Sequence, residues 1–234
     1  VRFAAELGYD GYPSMQKSLQ KMIRNRLTSV QRIEVANDRL GDQDVLDMVL
    51  QSDIDKIRQT LDEIDRDSFE KATDAIVAAR RIYIIGVRSA AAIATFLGFY
   101  FNLIFDNVVM ITANTPSEVF ESLLRVGPED VIIGVSFPRY SSRAVQAASF
   151  ARDRGATTIA ITDSEASPLA QISKYTLKAR SDMASFVDSL VAPLSLVNAL
   201  LVAVSRKKND DLAHTFQTLE DIWDEYGVYE KVQD

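Results

Sequence analysis

At 234 residues, with 47% hydrophobic and 25% charged side chains, the chain has ordinary globular composition and enough length for one sizeable core plus an appendage. It holds no cysteine, which excludes disulfides, thiolate metal sites and cysteine nucleophiles and fits a reducing cytoplasm; no apolar run approaches the roughly 18 residues of a membrane span, and no signal peptide is visible around Arg2 and Glu6. The net charge of −7 is unevenly spread: residues 1–35 carry six basic against three acidic side chains, so the remainder holds 20 basic and 30 acidic ones. A basic head on an acidic body suggests that any polyanion is met at the head, although a solvated helix face is the plainer reading.

Taken in order, Val1 to Leu7 has helical composition, and LGYDGYPS reads as a tight turn before a second helix. Residues 28–48 are polar and irregular, a linker with some helical character. Beyond them Ile54, Ile57, Leu61 and Ile64 make one helical face, with Ser52 as its cap, and Phe69 to Ala79 repeats the pattern. Five apolar runs then predict strands at 81–86, 107–111, 130–136, 157–162 and 174–179, separated by helical stretches near 89–104, 116–124, 142–154 and 168–172. Such alternation predicts an α/β fold with a mainly parallel sheet. An apolar helix over 186–205, with Phe186 to Val204 as core or dimer surface, and an amphipathic helix over 210–226 complete the chain. The expected division is 1–27 for the head, 28–49 for the linker and 50–234 for the body.

In an open parallel sheet ligands bind outside the carboxyl ends of strands, where strand order reverses. Three turns qualify. Gly86-Val87-Arg88-Ser89 follows the first strand; Ser136 to Ser142 follows the third and delivers Ser136, Ser141 and Ser142 toward a helix amino end; Thr162-Asp163-Ser164 follows the fourth. Each serine can also be a helix cap and nothing more. Arg88 and Arg139 lie where a guanidinium can fork onto phosphate oxygens, or can serve as surface charges or pair with Asp163. Neither a glycine-rich dinucleotide fingerprint nor a GxxxxGK loop is present, so nucleotide binding is disfavoured. No cofactor and no metal site is expected.

The segments GVRSA, VSFPRYSSRAV and IAITDSEASPLA resemble the three ligand-side loops of the sugar isomerase (SIS) domain, and together with VRFAAELGYDGYPSMQKSLQ the chain resembles the RpiR-type bacterial transcriptional regulators. The resemblance implies a flavodoxin-like SIS domain, a five-stranded parallel sheet flanked by helices, preceded by the remnant of an all-α helix-turn-helix domain. It further implies phosphate contacts from Ser89, Ser136 and Ser141, with Pro138 and Arg139 standing where the family has a serine and a glycine, so that Arg139 joins the grip. Val1 to Leu7 would belong to the recognition helix, with Arg2 and Lys17 meeting DNA and the first helices of that domain preceding Val1. The implied partners are a sugar phosphate effector, DNA and a second copy in a homodimer or dimer of dimers, in the cytoplasm and without membrane attachment.

The rival reading is a sugar-phosphate aldose–ketose isomerase, which needs a base beside the carbonyl and an acid to open the ring. The sole histidine, His214, sits in an amphipathic stretch, and Glu118 and Glu121 read more simply as helix-start and surface acids. The sequence therefore predicts no catalytic residue. It favours a DNA-binding regulator of sugar metabolism over an enzyme.

Overall fold

The computed structural model describes residues 2–8, 10–16, 28–40, 44–112, 115–182 and 187–229. The β-branched runs form β1 (Ile82–Gly86), β2 (Val108–Ile111), β3 (Val131–Val135), β4 (Thr157–Thr162) and β5 (Tyr175–Lys178). All neighbours pair in parallel, in the order β2-β1-β3-β4-β5. The helices are α1 (Arg2–Glu6), α2 (Ser29–Leu40), α3 (Val45–Glu63), α4 (Arg66–Ala78), α5 (Ala90–Ile104), α6 (Pro116–Ser122), α7 (Ser142–Asp153), α8 (Val191–Lys207) and α9 (Asn209–Glu225), and residues 12–16 are also helical.

The sheet is buried on both faces, as unbroken apolar strands require. Ile82 and Ile84 of β1 face one way and join residues of α4, α5 and α8; Tyr83 and Ile85 face the other way and join residues of α6 and α7. The result is a helix–sheet–helix sandwich of doubly wound type, the expected α/β fold. No described helix is long and apolar enough to cross a membrane.

Three expectations change. The polar stretch 28–48 carries α2 and the start of α3, whose cap is Asp44 rather than Ser52; the Asp44 carboxylate accepts from the Leu46 N–H at 2.8 Å. Ser52 lies inside α3 and accepts from the buried Lys56 ammonium at 2.8 Å. The helix reaches further back because Leu46 and Leu50 continue, at four-residue spacing, the exposed apolar stripe of Ile54, Ile57 and Leu61, so that α3 runs across residue 50. The helix expected at 168–172 tightens to a 3-10 turn, Ala170–Ile172. The apolar helix is described from Val191 onward, and Ala192, Leu196, Val197, Leu200 and Val204 bury its main face in the body, which favours core over dimer surface; Phe186 lies outside the described residues.

Phe101 of α5 is fully buried, its ring edge-on to Phe105 with centroids 5.3 Å apart. Phe101→Ala should cost about 3–5 kcal/mol, read as a lower urea midpoint at an unchanged slope. A midpoint equal to the parent's would contradict this placement of the core.

Candidate functional site

β2 and β3 flank β1 on opposite sides, so strand order reverses between β1 and β3. The chain leaves β1 for α5 on one face and β3 for α7 on the other, and the two loops part. Between them opens a cavity of about 520 Å³ lined by Val87, Arg88, Ser89 and Ala90, by Ser136 to Arg139 and Ser141, and by Arg32, Val187, Asp188 and Leu190.

The first loop is built on Gly86. A Cβ there would stand 2.5 Å from the Ala90 carbonyl oxygen and 2.7 Å from the Ala94 Cβ, so only glycine lets β1 pass directly into α5. Arg88 follows at φ +60°, a left-handed conformation uncommon for a side-chain-bearing residue. Ser89 occupies the cap position of α5 and makes no capping bond, so the helix does not consume its hydroxyl.

The second loop is closed by its own serines. Ser136, buried, accepts from the Ser141 N–H at 3.1 Å, and Ser141 accepts from the Ala144 N–H at 3.4 Å as the cap of α7. Ser141 is thus a true cap and Ser136 closes the turn, yet each hydroxyl proton is still a donor, held by a turn at the amino end of α7 where backbone dipoles favour an anion. Ser142, the first residue of α7, is exposed and does not line the cavity. The third turn braces the second: the Tyr140 hydroxyl donates to Asp163 at 2.8 Å. Burial, then the neighbouring Asp163 charge, pushes the Tyr140 phenol far above its usual range and keeps it protonated.

Among the described residues, three guanidinium groups, Arg32, Arg88 and Arg139, line the cavity against one carboxylate, Asp188, a surplus of two positive charges. That matches the charge of roughly −1.5 to −2 on a phosphate monoester. Arg139 and Arg88 stand where the sequence places them. Arg32 and Asp188 do not follow from the sequence reading, which counted Arg32 with the basic head. It is only 5% exposed and donates from Nη1 to Asp188 Oδ1 at 2.7 Å. Burial raises the Asp188 carboxyl above its ordinary range, against the pull of Arg32 and of Arg139. Arg2 opens α1, and Lys17 lies outside the described residues.

The rival catalytic groups are elsewhere. His214 is exposed on α9. Glu118 closes a capping box with Thr115 at the start of α6, and Glu121 is exposed on the same helix. None of the three lines the cavity. Gly86→Ala should lower the thermal midpoint by the equivalent of about 1–3 kcal/mol, because the first turn of α5 has to move away from the new methyl. A neutral substitution would show that the loop has slack the geometry denies it.

Residues 75–203 match the family model for the SIS domain. The solved SIS-type domain of an RpiR transcription factor from Sphaerobacter thermophilus, described as a sugar isomerase domain, is 30% identical and superposes with a TM-score of 0.71 over 74% of this chain and 97% of that one. The Vibrio vulnificus NanR protein complexed with ManNAc-6P shares the fold at 23% identity and a TM-score of 0.67, covering 95% of this chain and 80% of that one. An uncharacterized HTH-type transcriptional regulator of Clostridium perfringens is 26% identical over 212 residues, 88% of this chain and 75% of the relative.

Proposed function

The chain belongs to the SIS-domain family and to its RpiR-type regulators, and we propose that it is a DNA-binding transcriptional regulator of sugar metabolism whose SIS domain senses a phosphosugar in the crevice between β1 and β3. The observation that carries the reading is the lining itself, two arginines and three serines at two strand ends joined by Arg32 of α2, with a single carboxylate among the described residues. Arg88 and Arg139 fork onto the phosphoryl oxygens, and Ser89, Ser136 and Ser141 donate to them. Ser142, outside the lining, is left out of this grip. The sugar phosphate class is supported by the ManNAc-6P complex of a regulator sharing the fold.

The head reads DNA, with Arg2 and Lys17 on backbone phosphates, in a cytoplasmic homodimer whose two heads address two half-sites. The exposed stripe Leu46, Leu50, Ile54, Ile57 and Leu61 supports a second copy as partner. Effector binding biases the arrangement of the two bodies and so the spacing of the heads.

Absence of catalysis is supported by the chemistry of the lining, because isomerisation needs a base and a ring-opening acid. The one lining carboxylate is held by Arg32, and no histidine reaches the crevice. Incubation with aldose and ketose phosphates should give no interconversion above background. Turnover that vanishes in Asp188→Asn would establish the isomerase reading instead.

A thermal-shift screen of hexose 6-phosphates and N-acetylhexosamine 6-phosphates tests the sensor. A ligand at a hundredfold excess over its Kd should stabilise the chain by about 2.7 kcal/mol. Ser136→Ala combined with Ser141→Ala should abolish the shift while leaving a cooperative melt. Undiminished binding by that double variant would place the site elsewhere.

A further inference from the structure

Among the described residues, Arg32 is the lining cation that does not come from a strand-end loop; it comes from α2, which lies in the chain between the head and the sheet. Its side chain is 6% exposed, with Nη1 on Asp188 at 2.7 Å, while its Nε is buried and meets no acceptor within the protein. A guanidinium carries five donors in a fixed fork, and leaving one buried and unpaired is costly unless another acceptor reaches it. Nε is sealed even from the cavity, so an anion there meets Arg32 only through the part of the side chain that lines it. The segment it grips is held twice, since Ser189, next to Asp188, donates from its hydroxyl to Asp53 of α3 at 2.6 Å. Residues 187, 188 and 190 line the cavity, so α2 and α3 both fasten to one wall of the crevice.

We propose that Arg32 is an effector-binding residue carried by the linker helix, positioned by Asp188, so that an anionic sugar phosphate in the crevice holds α2 against the body. The inference rests on the crevice being the effector site. Its content is a linkage: the tighter α2 docks, the tighter the effector binds, and occupancy of the crevice is felt at the helix leading to the head. A purely structural Arg32–Asp188 tie makes a different demand. It requires removal of either partner to act alike, whereas a ligand-binding Arg32 requires opposite effects. Removing the arginine lowers the surplus charge of the lining from two to one, and neutralising the aspartate raises it to three.

The test uses the full chain as parent and as Arg32→Ala, Arg32→Lys, Asp188→Asn and the Ser136→Ala/Ser141→Ala double variant. Each is titrated calorimetrically with N-acetylmannosamine 6-phosphate and glucose 6-phosphate, and amide hydrogen exchange is followed over residues 29–40. For the sugar phosphate that binds the parent, Arg32→Ala should weaken binding about tenfold or more, and Arg32→Lys should recover part of it. Asp188→Asn, which keeps shape and a carbonyl acceptor, should bind at least as tightly as the parent. Exchange over 29–40 should slow on adding ligand to the parent and not to Arg32→Ala. Binding within twofold of the parent in Arg32→Ala, alongside its loss in the double serine variant, overturns the inference and spares the effector site. Asp188→Asn weakening binding as Arg32→Ala does would reduce the pair to a structural tie and overturn it too. A parent that takes neither sugar phosphate overturns the effector reading, and the inference with it.

Discussion

Strand order reverses between β1 and β3, and nearly everything that matters in this molecule follows from that reversal. Both strands are buried on both faces, so each must hand the chain to a helix on one side or the other. They choose opposite sides, the loops separate, and the amino ends of α5 and α7 border one gap. Gly86 keeps the first exit tight, and the Ser136–Ser141 bond keeps the second one closed on itself. The gap is therefore set by backbone geometry before any ligand arrives, and the orientation of its donors costs little at the moment of binding.

Charge decides what the gap can hold. A lining with three guanidinium groups and one carboxylate, set against a chain of net charge −7, is a local inversion of the molecule's field. Among the described residues the same lining is poor in the groups that isomerisation needs, because its one carboxylate is already engaged and the Ser136 and Ser141 hydroxyls hold the second loop and cap α7. Binding without turnover is what a sensor requires. Arg32 adds a route outward, since a cation on the linker helix feels whatever fills the crevice.

The fold was legible because the strands are short, apolar and β-branched, and each of the five apolar runs became a strand within a residue or two of its expected ends. The two lining loops were legible for a related reason: hydroxyls and arginines follow those runs directly, and a parallel sheet brings its carboxyl ends together. Arg32 and Asp188 were not, because their meeting spans 156 residues of chain and depends on α2 folding back on the body. Local pattern places Arg32 among head cations and gives no hint of its burial. Ser52 misled for a simpler reason: both it and Asp44 satisfy the capping rule, and only the apolar spacing of Leu46 and Leu50 chooses between them. Ser142, the first residue of α7, turns with the helix to an exposed position while the capping Ser141 before it lines the cavity.

Everything at this crevice turns on where a phosphoryl group comes to rest. A crystal structure of the chain with a bound hexose 6-phosphate should place the phosphorus between the Arg88 and Arg139 guanidinium groups, with its oxygens on the hydroxyls of Ser89, Ser136 and Ser141. A phosphoryl group seated away from the β1 and β3 loops, or a sugar phosphate bound with its phosphate in solvent, would contradict this placement.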